Sequence, residues 1–118
     1  MSVLAAATLT STERRALDRF VSLLAEALGP DLEAVWLYGS RARGEDVHDE
    51  SDIDVIVLTR EGEADRGRVW RTALESGEAG LKISPITTSR KWVGERRAID
   101  SFFIEEVDRD KVVLLGEP

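Results

Sequence analysis

Cysteine is absent from the 118 residues, so neither a disulfide framework nor a thiolate metal site is available, and a reducing compartment suits the chain. Only 1 histidine occurs, which removes imidazole clusters from the available chemistry. Positive charge is in deficit: 16 Lys and Arg face 23 Asp and Glu, for a formal net charge of −7. A general nucleic-acid binder needs a clustered basic surface against phosphates, so that class is set aside. An acidic balance still permits a nucleotide site, because a bound cation can provide the local positive field. Long apolar runs are missing too, and nothing approaches the ~20 residues needed to cross a bilayer. Residues 3–9 are mildly apolar but lack a preceding basic residue and a cleavage context, and they read as a frayed terminus. The expected location is the cytoplasm.

With 42% hydrophobic residues, the chain has material for one core and one domain, 1–118. Thr10 and Glu13 form a Thr-x-x-Glu capping box, after which Leu17, Phe20, Val21, Leu24, Ala27 and Leu28 recur at helical spacing. Gly29-Pro30 ends that helix, over residues 11–28. Short apolar segments at 33–38 and 53–58 predict two strands, the second central because it is almost continuously apolar. The polar link between them has room for one helical turn at its start. A weaker helix is predicted over 63–78 from Val69, Trp70, Ala73 and Leu74, and a third strand over 81–87. Pro85 cannot donate to a ladder, which favours an edge position or a bulge. Ser89 caps a further helix carrying Trp92, Val93, Arg96, Ile99 and Phe103 near one face, and 112–115 is a closing strand. The expected fold class is α/β in the α+β sense, a small mixed sheet with helices packed on it.

Chemistry concentrates in 39–55, GSRARGEDVHDESDIDV. Gly39-Ser40 follows a strand directly, so bare backbone, amide groups and a hydroxyl can approach a phosphate. Arg41 and Arg43 offer charge-assisted bonds to a triphosphate, or ion pairs with Glu45 and Asp46. Asp52 and Asp54 alternate on a strand, so both carboxylates share one face while Ile53 and Val55 turn into the core. Two adjacent carboxylates repel each other, and a shared hard cation such as magnesium relieves this. An acid within the apolar run 53–58 is costly without such a ligand.

Gly-Ser followed about a dozen residues later by Asp-x-Asp resembles the polymerase-β-type nucleotidyltransferase superfamily, and GSRARG with SDIDV is similar to its smallest members, the minimal nucleotidyltransferases. The resemblance covers roughly residues 30–116. It implies a polymerase-β-like fold and transfer of a nucleoside monophosphate, AMP from ATP, to an acceptor hydroxyl. It further implies Mg2+ on Asp52 and Asp54 as catalytic ligands, with Gly39, Ser40, Arg41 and Arg43 binding the nucleotide. Small members of this kind pair with a helical HEPN-type toxin as its antitoxin, in homo- or hetero-oligomers. The match departs at one point. Active members carry a third carboxylate on the next strand, and here that position is about Ser84 or Ile86, with Glu78, Asp100, Glu105 and Glu106 as acids nearby in sequence. Serine is a poor magnesium ligand and a poor base near neutral pH. An antitoxin that neutralises its partner by complex formation alone is therefore the alternative.

Other residues carry blander expectations. His48 is a surface bystander, and Arg90, Lys91, Arg96 and Arg97 make a solvated helix face. Trp36, Trp70 and Trp92 belong to the core or its rim, and Tyr38 is structural.

Overall fold

Helix α1 (Ser11–Leu28) begins as its capping box demands: the Glu13 amide donates to Thr10 Oγ1 at 3.1 Å and the Thr10 amide donates to Glu13 Oε1 at 2.8 Å. Its apolar stripe buries Ala16, Leu17, Phe20, Leu24 and Leu28, whereas Ala27, expected in the stripe, faces solvent. The computed structural model describes residues 9–44, 52–77 and 82–118. Glu45, Asp46, His48 and Glu78, as well as the terminal segment 3–8, lie outside the described residues.

Four strands follow: β1 (Leu32–Leu37), β2 (Ile53–Thr59), β3 (Ile83–Thr88) and β4 (Val112–Gly116). They form one sheet in the order β3-β2-β1-β4, with β1 antiparallel to both β2 and β4, and β3 parallel to β2. The sheet is therefore mixed, and β2 is interior, as its burial at Val55 to Thr59 requires. Pro85 sits in β3, an edge strand, where its missing donor costs no ladder bond.

Strand alternation sorts the side chains into two layers. Val35, Leu37, Ile53, Val55, Val57 and Ile83 meet α1 and α3 (Arg66–Ser76) on one side. Trp36, Ile56 and Leu58 meet Val93 and Val107 on the other. Helix α3 is shorter than expected, because residues 62–65 wind as a tighter 3₁₀ turn before it. Trp70 lies on its outer face at 43% exposure and not in the core.

The predicted single helix after Ser89 is two: α4 (Arg90–Ala98) and α5 (Phe102–Asp110). At the break, the Ser101 amide donates to the Arg96 carbonyl at 3.0 Å and the Asp100 amide to the Arg97 carbonyl at 3.2 Å, with Asp100 left-handed at φ 53°. This pair of bonds is the Schellman closure, with aspartate where glycine is usual. Ile99, assigned to the apolar face by spacing, is consequently thrown to solvent at 64% exposure. The two helices fold back on each other, clasped by the Arg97–Asp108 pair at 2.7 Å. Among the described residues, no helix is long and apolar enough to cross a membrane.

Candidate nucleotide and metal site

Strand β1 ends at Leu37, but the Tyr38 amide still donates to the Asp54 carbonyl at 3.0 Å, so the ladder carries on for one residue beyond the strand. Gly39 then turns the chain with φ 77° and ψ −159°, a conformation side-chain-bearing residues rarely adopt. One helical turn, α2 (Ser40–Arg43), follows, closed by Gly44 in the left-handed region at φ 75°. A Cβ placed on Gly39 would lie 3.0 Å from Asp54 Oδ2. The glycine is thus required twice, by its dihedral angles and by the carboxylate packed against it.

Asp54 comes from β2 and shares its face with Tyr38 and Ile56, while Ile53 and Val55 enter the opposite core layer. Burial raises the Asp54 pKa first, the Asp52 carboxylate raises it further, and the Arg41 charge opposes both. Tyr38 beside it has its phenol pushed up to about 12 by burial and then by the Asp54 charge, which keeps it protonated and structural. The register pairs Asp54 with Ser84 across the parallel β2–β3 ladder. Partners in a parallel register point to the same face, so Ser84 stands beside Asp54.

The two arginines part company. Arg43 is exposed and lines a cleft of about 100 Å³ with Tyr38, Gly39, Phe103, Glu106 and Val107. Arg41, which the sequence offered to a triphosphate, is only 4% exposed and places Nη1 2.7 Å from Glu13 Oε1 and 2.6 Å from Oε2. Desolvation alone would raise the Glu13 pKa, but the Thr10 amide, together with the Arg41 hydrogen bond and charge, outweighs it and holds the carboxyl below its usual value. Sequence reasoning saw Glu13 only as a helix cap, since its second partner lies on another element.

Helix α5 does fold over this end of the sheet. Phe103 meets the Tyr38 ring edge-on at 5.6 Å, and Glu106 reaches the cleft wall. Among the described residues, no group of three or more acids, histidines or cysteines could hold a metal ion. Asp52 and Asp54 are hard oxygen donors, a pair that fits a cation bringing further oxygen ligands with it.

The family model described as Polymerase beta, Nucleotidyltransferase matches residues 22–92, a span that contains the end of α1, the Gly39 turn, both aspartates and β3. A crystal structure of a mutant of the toxin–antitoxin MntA–HpeT is 19% identical, with a TM-score of 0.55, over 82% of this chain and 71% of that one. A toxin–antitoxin crystallised with AMP-PNP is 20% identical, with a TM-score of 0.54, over 83% of this chain and 72% of that one. No curated protein matches the sequence. At these identities the structural likenesses establish the fold.

Proposed function

Because this chain belongs to the polymerase beta nucleotidyltransferase family, we propose that it binds ATP with Mg2+ and transfers AMP to a hydroxyl on a separate helical partner protein, acting as an antitoxin. In this reading residues 1–118 form one nucleotidyltransferase domain working in the cytoplasm. The observation that supports it is the close approach of Asp54 to the Gly39 turn, which in this reading joins phosphate cradle and acid pair. Gly39 and Ser40 present backbone and hydroxyl to the phosphates, and Arg43 stands exposed on the same turn. Asp52 and Asp54 would hold the magnesium ion, which when bound neutralises charge on the phosphates. The AMP-PNP in one structural neighbour supports ATP as the nucleotide, and the toxin–antitoxin identity of both supports a protein partner, which the sequence resemblance takes to be of the HEPN type.

Labelled ATP, magnesium and the co-encoded protein test the proposal together. Label should pass to the partner and should fall at least tenfold with Asp52→Asn; an unlabelled partner, or label that survives the substitution, refutes it.

Ser84 opposite Asp54 favours one other reading, an antitoxin that neutralises by complex formation and uses its nucleotide site for regulation or not at all. Under it Asp54→Asn leaves neutralisation intact. A variant that still binds the partner but no longer neutralises it rules this reading out.

A further inference from the structure

Among the described residues, four of the five large apolar side chains that stay exposed fall into two pairs. Single apolar side chains on a surface need no explanation, whereas grouped ones mark contact sites. The first pair is Ile99 and Phe102, 64% and 73% exposed, at the corner between α4 and α5. Glu95 lies one helical turn before Ile99 and Glu105 one turn after Phe102, with Asp100 between the two. The cations closest in sequence are committed elsewhere: Arg97 holds Asp108 at 2.7 Å, and Arg96 lies over the Trp92 ring at 5.3 Å. Asp100 adopts φ 53°, where glycine carries no strain, and in that place it adds a third charge to an acidic rim.

The second pair is Trp70 and Leu74, 43% and 67% exposed and one turn apart on the outer face of α3. Its rim has the opposite sign, since α3 carries Arg66, Arg68 and Arg71 against a single acid, Glu75. Glu63 stands 3.6 Å from Arg66, but both side chains are largely exposed, and a pair so solvated leaves the charge available to a neighbour. Helix α3 packs on one side of the sheet and α4 and α5 on the other, so the two patches cannot meet within one molecule. Like rims repel, which disfavours contact of corner with corner or of face with face. An acidic corner set against the basic face of another copy satisfies both, and Trp and Arg are the residues that most often carry the energy of such contacts. We propose that this chain associates head to tail with copies of itself, the Ile99–Phe102 corner of one molecule seated on the Trp70–Leu74 face of the next. Such a heterologous contact leaves a free patch at each end, so copies add one after another. It requires neither nucleotide nor a second protein.

The test is sedimentation equilibrium of the full chain from about 10 μM to about 1 mM, a range suited to a small, weak contact. The average mass should rise steadily with concentration, and raising salt to ~0.5 M should weaken association at least about threefold by screening the rims. A mass that stays monomeric throughout, or an association indifferent to salt, overturns the inference. Two double variants, altered only at exposed positions, fix the geometry. Ile99→Ser with Phe102→Ser removes the corner, and Arg71→Glu with Leu74→Ser removes the face. Each alone should remain a monomer. An equimolar mixture should form a dimer that grows no further, because each variant keeps one of the two complementary patches. A mixture that stays monomeric refutes head-to-tail pairing, as does either variant associating by itself as the unaltered chain does. Should either variant unfold early, Glu105→Arg replaces the first and Arg71→Glu the second, with the same outcomes expected and the same refutations.

Discussion

Replacing Gly39 by alanine should damage the protein in two separable ways. The backbone there, at φ 77° and ψ −159°, belongs to a region reserved for glycine, and holding a residue with a Cβ in it costs on the order of 1–3 kcal/mol. The added methyl would also stand 3.0 Å from Asp54 Oδ2, tighter than most contacts of a side-chain carbon, so the turn or the carboxylate must give slightly. Taking about 2 kcal/mol as the stability term, and ~4 °C per kcal/mol for a chain of this size, the melting temperature should fall by about 8 °C. Gly29 provides the control. It also has a positive φ, 54°, but a Cβ on it would meet nothing within 4 Å. Gly29→Ala should therefore lower the melting temperature by a comparable amount and leave Mg2+-dependent ATP binding unchanged, whereas Gly39→Ala should weaken that binding at least tenfold at temperatures where both variants are folded. Calorimetric melting and ATP titration of both proteins settle the matter. Two equal binding curves, or a Gly39→Ala protein that melts within about 2 °C of the unaltered chain, would refute the argument that the turn and the carboxylate share one packed site.

The other predictions concern charge. Asp54→Asn removes a carboxylate whose ionisation is disfavoured by burial and by Asp52, so the variant should be at least as stable in urea unfolding while losing Mg2+-dependent ATP binding; a destabilised variant contradicts the electrostatic account. Asp108 is held at about 2 by the Arg97 hydrogen bond, with Lys111 assisting against partial burial. Since its folded pKa is depressed, the stability it contributes is complete above the unfolded value near 4 and disappears as pH falls toward 2. Being partly solvent-screened, the cluster is worth about 1 kcal/mol, so Asp108→Asn should cost that much at neutral pH and almost nothing at pH ~2, measured by denaturant titration at both. Ser84→Asp places an acid beside Asp54 and should raise AMP transfer to the partner about tenfold or more if the third carboxylate is what limits the chain, an outcome a labelling time course would show.

Local chemistry made much of this legible from residues alone. The Thr10–Glu13 box, the helical stripe ending at Gly29, the alternation of Ile53 and Val55 against Asp54, and the edge position of Pro85 each depend on neighbours within a few positions in sequence. The register of β3 against β2, which sets Ser84 beside Asp54, was not legible in the sequence, since strand pairing depends on contacts between distant segments. What stayed hidden required contact between distant elements or an unusual residue in a familiar role. Asp100 ends α4 in the left-handed conformation where a glycine would have announced the break, so two helices read as one and Ile99 was placed on the wrong face. Trp70 is large and apolar yet sits outside, since α3 already fills its core face with Val69 and Ala73. The inward turn of Arg41 needed knowledge of where α1 packs, which no spacing within the motif records.

The order β3-β2-β1-β4 also sets the tempo at which the molecule can assemble. The strand that delivers Gly39 finds its first neighbour, β2, close by along the chain, but its second, β4, only after all the intervening helices, with Leu37 opposite Val112. Closing so long a loop is entropically slow compared with forming a hairpin, so the β1 edge is the last to be covered. Until then the outer edge of β1, beside the Gly39 turn, stands unpaired during synthesis, open to mispairing with another chain. Late docking of the final strand should make the Gly39 turn one of the last parts of the protein to become rigid, and substitutions in β4 should be felt in folding yield before they are felt in the proposed chemistry.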